Sequence, residues 1–181
     1  GYKLDYKVVD VARYGVPQRR KRFVMIGSRI DGIPIPDGDN ATITVKDVIG
    51  NLKPPDESDD YAQTLVAHHT PRILEMIKKV PHDGGSRSDL PDEYILKCHR
   101  KKGIGFRDVY GRLRWDDVSS TITGGCLNPS KGRFLHPEQD RAITAREAAM
   151  LQTFPQEYRF PREVTQTDIA LMVGNALPPK F

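Results

Sequence analysis

Cysteine is scarce in this chain: 181 residues hold two, at positions 98 and 126. So few, and so far apart, they make neither a disulfide framework nor a zinc-ligand pattern, and no metal is expected. A chain without disulfide signals is expected in a reducing, cytoplasmic compartment. Long apolar runs are missing, so no segment reaches the ~20 residues of a membrane-spanning helix. No signal peptide opens the chain. Repeats and low-complexity tracts are also lacking, which excludes solenoids and biased tails. There is no initiator methionine. Gly1-Tyr2-Lys3-Leu4 runs at once into a strand pattern, and Pro178-Pro179-Lys180-Phe181 stops where a helix is ready to begin. Both ends suggest a piece of a longer protein. What remains is 38% hydrophobic and 29% charged, the balance of a globular chain of one domain or two small ones.

No one sign of charge dominates overall, for the net charge is +4, but the charges are clustered. Residues 1–29 hold eight cations against two anions, residues 37–60 seven anions against two cations, and residues 97–114 seven cations against one anion. Clustered cations are either a polyanion footprint or a solvated face.

The pattern predicts strands over 6–12 and 22–28, broken by Tyr14-Gly15-Val16-Pro17. The second strand is continuous and apolar, which predicts burial. A Gly-, Pro- and Asp-rich loop follows over 29–40. A short helix is expected after Thr44, with Asp47 in its first turn and Gly50 at its end. Thr70-Pro71 opens another that ends before Pro81. A polar loop over 81–92 precedes a short helix over 91–98. Val118 to Thr123 reads as a further sheet-like stretch, closed by Gly124-Gly125. The capping box of Thr144 and Glu147 predicts a helix from Ala145 to Thr153, and Thr165 begins one that ends at Gly174-Asn175.

Gln18, Arg20 and Arg22 are two apart, so on extended chain they share one side while Arg19 and Lys21 face the other. One amide and two guanidiniums on a common side suit a phosphate, a carboxylate or the carbonyl edge of a base. A basic edge strand that resists aggregation has the same pattern. Gly174-Asn175-Ala176-Leu177-Pro178-Pro179 is, by itself, a helix stop. Arg112 and Arg114 are also two apart, and His82-Asp83-Gly84-Gly85-Ser86-Arg87 reads as a polar loop.

Four blocks together carry a resemblance. Pro17-Gln18-Arg19-Arg20-Lys21-Arg22 resembles the Gln-x-Arg-x-Arg motif of DNA cytosine-5 methyltransferases. Gly111-Arg112-Leu113-Arg114-Trp115, with Ser120-Thr121-Ile122-Thr123 and Leu135-His136-Pro137, is similar to the next block of that family. Thr144-x-Arg146-Glu147-Ala148-Ala149-x-x-Gln152-x-Phe154-Pro155 and Gly174-Asn175-Ala176-Leu177-Pro178-Pro179 match its C-terminal blocks. They occur in the family's order along most of the chain.

The resemblance implies an α/β fold: the last strands and C-terminal helices of a doubly wound S-adenosylmethionine-dependent methyltransferase, with a small, mixed, irregular insert. It divides the chain into closing strands at 1–29, a target-recognition region at 30–110 and a return to the catalytic domain at 111–181. It implies methyl transfer from S-adenosylmethionine to C5 of a cytosine flipped out of duplex DNA. Arg22 is then the group that reaches the cytosine O2, with Gln18 and Arg20 bracing the pocket. Gly174, Asn175 and Ala176 border the cofactor, and Thr121 contacts a phosphate. Arg112 and Arg114 face DNA through either bidentate guanine contacts in the major groove or plain phosphate binding, and the loop that carries Arg87 either approaches DNA closely through its glycines or is ordinary surface. Three family features are absent: a Cys directly after Pro, the Gly-rich cofactor loop and the Glu-Asn-Val segment. Cys98 follows Lys and Cys126 follows Gly. The chain is therefore expected to be the C-terminal part of such an enzyme, inactive without its N-terminal half. A bacterial cytoplasmic restriction–modification role, with a cognate endonuclease, follows from the same resemblance. The alternative is a non-catalytic DNA-binding module derived from the family.

Overall fold

A computed structural model describes residues 1–39, 41–100 and 108–181, so Lys101, Lys102 and Arg107 of the basic 97–114 stretch lie outside the described residues. The chain opens with an antiparallel hairpin of β1 (Lys3–Asp10) and β2 (Lys21–Ser28), in register from Lys3 opposite Ser28 to Asp10 opposite Lys21. Asp10 closes it, for its Oδ1 accepts from the backbone N–H of Ala12 at 3.3 Å and of Arg20 at 3.0 Å. Gly15 makes the turn at φ +74°, a conformation that glycine adopts without steric cost.

Among the described residues, the hairpin is covered on one face only. Ile35 N–H donates to Asp5 Oδ2, and Lys7 Nζ reaches Ile35 O, Pro36 O and Asp37, which straps the 33–37 loop to that face. The other face carries Tyr2, Leu4, Tyr6, Val8, Phe23 and Met25, all exposed. This corrects the expected burial of β2. Its unbroken apolar run supplies both faces of a strand, yet Phe23 and Met25 remain 63% and 57% exposed. The stretch 118–123 forms no strand. It makes a single bridge, Ser119 beside Gln18, closed by Arg19 N–H to Ser119 O and Ser119 N–H to Pro17 O, each 2.9 Å.

The main core surrounds α4 (Ala145–Leu151), with α1 (Val45–Ile49), α2 (Tyr61–Thr64) and α5 (Gln166–Asn175) around it. Val45, Ile49, Leu113, Ile122, Phe134, Ile143, Leu151, Ile169 and Val173 fill it. Ala148 and Ala149 let neighbouring elements approach α4 from several sides. The caps stand where the sequence puts them: Thr44 with Asp47, Thr144 with Glu147, and Thr165 accepting from Asp168 N–H.

A second core gathers Met76 and Ile77 of α3 (Pro71–Lys79) with Val80, Leu90, Val109, Tyr110 and Leu135. Residues 30–110 thus divide between the two cores. α1 and α2 join the core of α4, and α3 belongs to the smaller one. The expected helix over 91–98 is two single 3₁₀ turns, Asp92–Tyr94 and Lys97–His99. No helix among the described residues is long and apolar enough to cross a membrane.

Candidate functional site

Gln18 is fully buried. Its amide donates to Leu151 O and to Gln152 Oε1, and its Oε1 accepts from Ile122 N–H at 3.1 Å. Gln152, buried as deeply, donates onward to Val173 O at 2.8 Å and Ala176 O at 2.9 Å. Arg20, 7% exposed, donates to Ile122 O at 2.8 Å and Gly174 O at 3.2 Å. The entry to β2, the 118–123 stretch and the end of α5 are thereby tied at one place, although the first lies more than a hundred residues from the other two in the chain.

Arg20 makes no ion pair with a carboxylate among the described residues, and its buried Nε lacks a partner. Burial and the nearby Arg22 guanidinium both draw its pKa below the usual arginine range. Arg22 differs from its neighbours. It is half-buried, and among the described residues its side chain donates only to Lys21 O, at 2.7 Å, which leaves most of its guanidinium edge free of them. Arg19 points the other way, with both Asp117 oxygens within 3.0 Å. The alternation read from the sequence holds for Gln18, Arg19 and Arg20.

At the end of α5, a Cβ on Gly174 would overlap Gly124 N and the Thr123 carbonyl carbon, so glycine lets the helix lie directly on that backbone. Ala176 contributes its carbonyl to Gln152. The Asn175 side chain is exposed and forms no hydrogen bond among the described residues.

The four residues expected at DNA separate. Arg112 is 0% exposed. Its Nε donates to Val80 O, Nη1 to His136 O and Gln139 O, and Nη2 to Ile77 O and Asp140. A guanidinium has five N–H groups, and all are engaged. Arg112 is a strut and has no donor left for a base. Arg87 sits in the Arg87–Asp89 turn, near enough to His99 to depress its pKa alongside burial. Arg114 and Thr121 do meet, lining a cleft of about 550 Å³ with Arg19, Ser119, Ser120 and Arg133. Arg114 is exposed, its stem lying over Gly84 at φ +101°, where a Cβ would collide with it. Thr121 Oγ1 donates to Arg19 O at 2.6 Å.

Arg133 was not singled out by any motif. It donates to Gly84 O, Gly85 O and Arg112 O at 2.9–3.1 Å and so fixes the 82–87 loop beside Arg114. A lone arginine in Lys131-Gly132-Arg133-Phe134 carries no signal of this, because its partners are backbone carbonyls distant in sequence. The 144–155 block is likewise structural at its polar positions. Arg146 pairs with Asp60 and donates to Tyr158 O, and Glu147 accepts from Arg141 and Gln63. Burial alone would raise the Glu147 pKa, but Arg141 and the Thr144 N–H outweigh it and hold the carboxyl low. Cys126 lies in the main core, where burial pushes its thiol up to about 12, so it is neutral and inert at pH 7. Cys98 is exposed.

Comparison with known proteins places the chain in a family. The profile of the C-5 cytosine-specific DNA methylases matches residues 1–181. The Type II methylase M.HgiDII of Herpetosiphon aurantiacus is 39% identical over 98% of this chain and 52% of its own length. The Type II methyltransferase M.BbvI of Brevibacillus brevis is 32% identical over 99% of this chain and 46% of its own. The chain spans about half the length of the curated relatives it matches. Among solved structures, a DNA modification methyltransferase encoded within an E. coli prophage superposes with a TM-score of 0.65 at 20% identity. That superposition covers 99% of this chain and 57% of that one, and makes the mixed α/β arrangement a methyltransferase fold. With the motifs in order and a profile match from end to end, the chain belongs to the C-5 cytosine-specific DNA methylase family.

Proposed function

We propose that this chain is the C-terminal, DNA-reading and pocket-closing part of a DNA (cytosine-5-)-methyltransferase. Its hairpin and helices then close a doubly wound sheet. The observation that carries the reading is the convergence of the 18–22 and 174–176 motifs, which leaves Arg22 with free donors beside two immobilised neighbours. A cytosine flipped from the duplex presents O2, a carbonyl that two guanidinium N–H groups match. Gln18 and Arg20 hold the strand that carries Arg22, so its position is set before the base arrives. The buried Arg20, with no carboxylate partner here, calls for an anion from the rest of the enzyme or from the substrate.

S-adenosylmethionine, when bound, supplies the electrophilic methyl group. The residues present fit one edge of its site, since Asn175 offers an uncommitted amide at a helix end held close by Gly174. Gly174 and Ala176 serve through their backbone. Neither cysteine matches the family's nucleophile, for Cys98 follows Lys97, Cys126 follows Gly125, and Cys126 is a neutral core thiol. Methyl transfer therefore needs the N-terminal half, and the exposed apolar face of the hairpin is where that half packs. Arg114 and Thr121 meet the duplex from the cleft between them, with the recognition surface built on α3 and its core. The Type II names of the relatives support a restriction–modification role in a bacterial cytoplasm, with a paired endonuclease.

In the whole enzyme, Arg22→Ala should lower methyl transfer about 100-fold or more, the loss seen when one preorganised donor to a reacting carbonyl is removed. Duplex affinity, measured in parallel, should change little. Equal losses in both would refute the pocket role. The alternative, a non-catalytic DNA-binding module, would be favoured if the gene upstream encoded no cysteine after proline.

A further inference from the structure

Hydrogen bonds among four segments of the chain close into a ring. Gln18 donates to Gln152, and Gln152 donates to Val173 O and Ala176 O. Gly174 O, between those two carbonyls, accepts from Arg20. Arg20 also donates to Ile122 O, and Ile122 N–H donates back to Gln18. The segment with Gln18 and Arg20 mounts Arg22, and the segment with Gly174 and Ala176 carries Asn175. The proposed cytosine side and the proposed cofactor side are thus two points on one ring.

Gln152 belongs to neither side. It caps the end of α4 and is 0% exposed. Its orientation is set by its partners. Val173 O and Ala176 O accept and cannot donate, so the amide NH2 faces them, and Oε1 is left to accept from Gln18. The position calls for donors and an acceptor on one side chain. A carboxylate brings no donor there, and an ammonium no acceptor. The next residue adds a second tie. Thr153 has φ +67°, a left-handed conformation that a β-branched residue rarely adopts. Its Oγ1 accepts from Lys180 N–H at 3.1 Å. Backbone of that kind persists where its surroundings over-determine it. The end of α4 therefore holds the chain at Val173, Ala176 and Lys180, and through Gln18 it holds the entry to β2 as well.

We propose that Gln152 is a positioning residue that sets Arg22 and Asn175 relative to each other, so that the cytosine pocket and the edge of the cofactor site are held in one geometry. The proposal rests on the reading of the chain as the pocket-closing part of a cytosine-5 methyltransferase. Gln152 is buried, so it acts through what it holds: Gln18 on one side and the 173–176 carbonyls on the other. Transfer between two bound molecules depends on the separation and alignment of their pockets, which a residue confined to one pocket does not fix.

The test uses the whole enzyme and two readouts. One is the single-turnover rate of methyl transfer. The other is the affinity for S-adenosylhomocysteine, the cofactor without its methyl group, by calorimetry. Gln152→Met keeps most of the side chain's bulk and removes its polar atoms. It should lower the rate about 100-fold, as a displacement of about 1 Å does. It should also weaken the cofactor about tenfold, the effect of roughly one lost hydrogen bond. Gln18→Met opens the ring on the cytosine side alone, and should lower the rate with cofactor affinity unchanged. Ile143→Val loosens the same core without touching the ring, and should leave both readouts at the parent's values. When Gln152→Met is combined with Arg22→Ala, the rate loss should fall well short of the product of the two single losses, because the group being positioned is gone. A combined loss equal to the product would overturn the role. So would a Gln152→Met enzyme that changes only in its urea midpoint. If Gln152→Met does not fold, Gln152→Asn keeps the amide with a shorter reach and should show both losses in smaller measure; parent values for it would overturn the role too. If Arg22→Ala transfers methyl groups at the parent's rate, the cytosine pocket lies elsewhere, and this inference falls with that reading.

Discussion

Arg112 engages all of its N–H groups with carbonyls or a carboxylate, drawn from two segments distant in the chain, 77–80 and 136–140. Ile77 O lies in the last turn of α3, where it also accepts from Val80 N–H, and Val80 O lies one residue beyond the helix. The positive charge also suits that negative helix end. Arg112→Met keeps much of the stem's packing but leaves several buried carbonyls without donors. It should destabilise the fold by about 3–5 kcal/mol, read from urea midpoints. Arg112→Lys should recover only part of this, because an ammonium has three donors on a point and no planar fork. A loss below about 1 kcal/mol for both would show that water replaces the guanidinium, and Arg112 would then be no strut.

Among the elements, local physics was legible and distant pairing was not. Thr44, Thr144 and Thr165 announce helices because a cap and its partner lie three residues apart in sequence. The 118–123 stretch has strand composition but finds one bridge only, since its neighbour across the bridge is Gln18, a hundred residues away. Parity along an extended chain gave Gln18 and Arg20 a common side, and they share one. The same parity put Arg112 beside Arg114, but a side shared is not an environment shared: one side chain ends in the core and the other on the surface. Nothing in an apolar run tells whether both faces of a strand will find cover, hence the error at β2. Its exposed face sets a test at this scale. Met25→Lys should leave the chain's own stability within about 0.5 kcal/mol, as for any surface site. It should abolish methyl transfer when the chain is mixed with a separately produced N-terminal half. Unimpaired complementation would place that half elsewhere.

For the molecule as a whole, pH tests how the two cores are joined. His136 lies between them, 4% exposed, with its Nδ1 accepting from Glu138 N–H at 3.2 Å and Gln139 N–H at 3.0 Å. Burial pushes its pKa down to about 4, well below the ordinary histidine value of about 6.5. The folded state therefore refuses a proton that the unfolded chain accepts below pH 6.5. Stability should be undiminished above that pH, fall as pH drops from 6.5 to 4, and lose about 3 kcal/mol to this group by the end. His69 and His99, also held low by burial, act with the same sign. Below this window the low carboxylates of Glu147 and Asp60 add their own loss as they protonate. His136→Asn keeps an acceptor for the two N–H groups and does not titrate, so its urea midpoint should decline less steeply across that range. Parallel curves for the two proteins would refute the assignment.

The saturated Arg112 also bears on protein engineering. Grafting a recognition region from a relative, to retarget methylation, requires a choice of where to cut the chain. A cut just before Gly111, at the end of the 30–110 stretch proposed for target recognition, would transplant α3 without the guanidinium that terminates it. The donor's helix end would then face the recipient's arginine, and the match would depend on chance. The transplantable cassette runs instead from Pro71 through Asp140, carrying the carbonyls of Ile77, Val80, His136 and Gln139 together with the side chain that joins them.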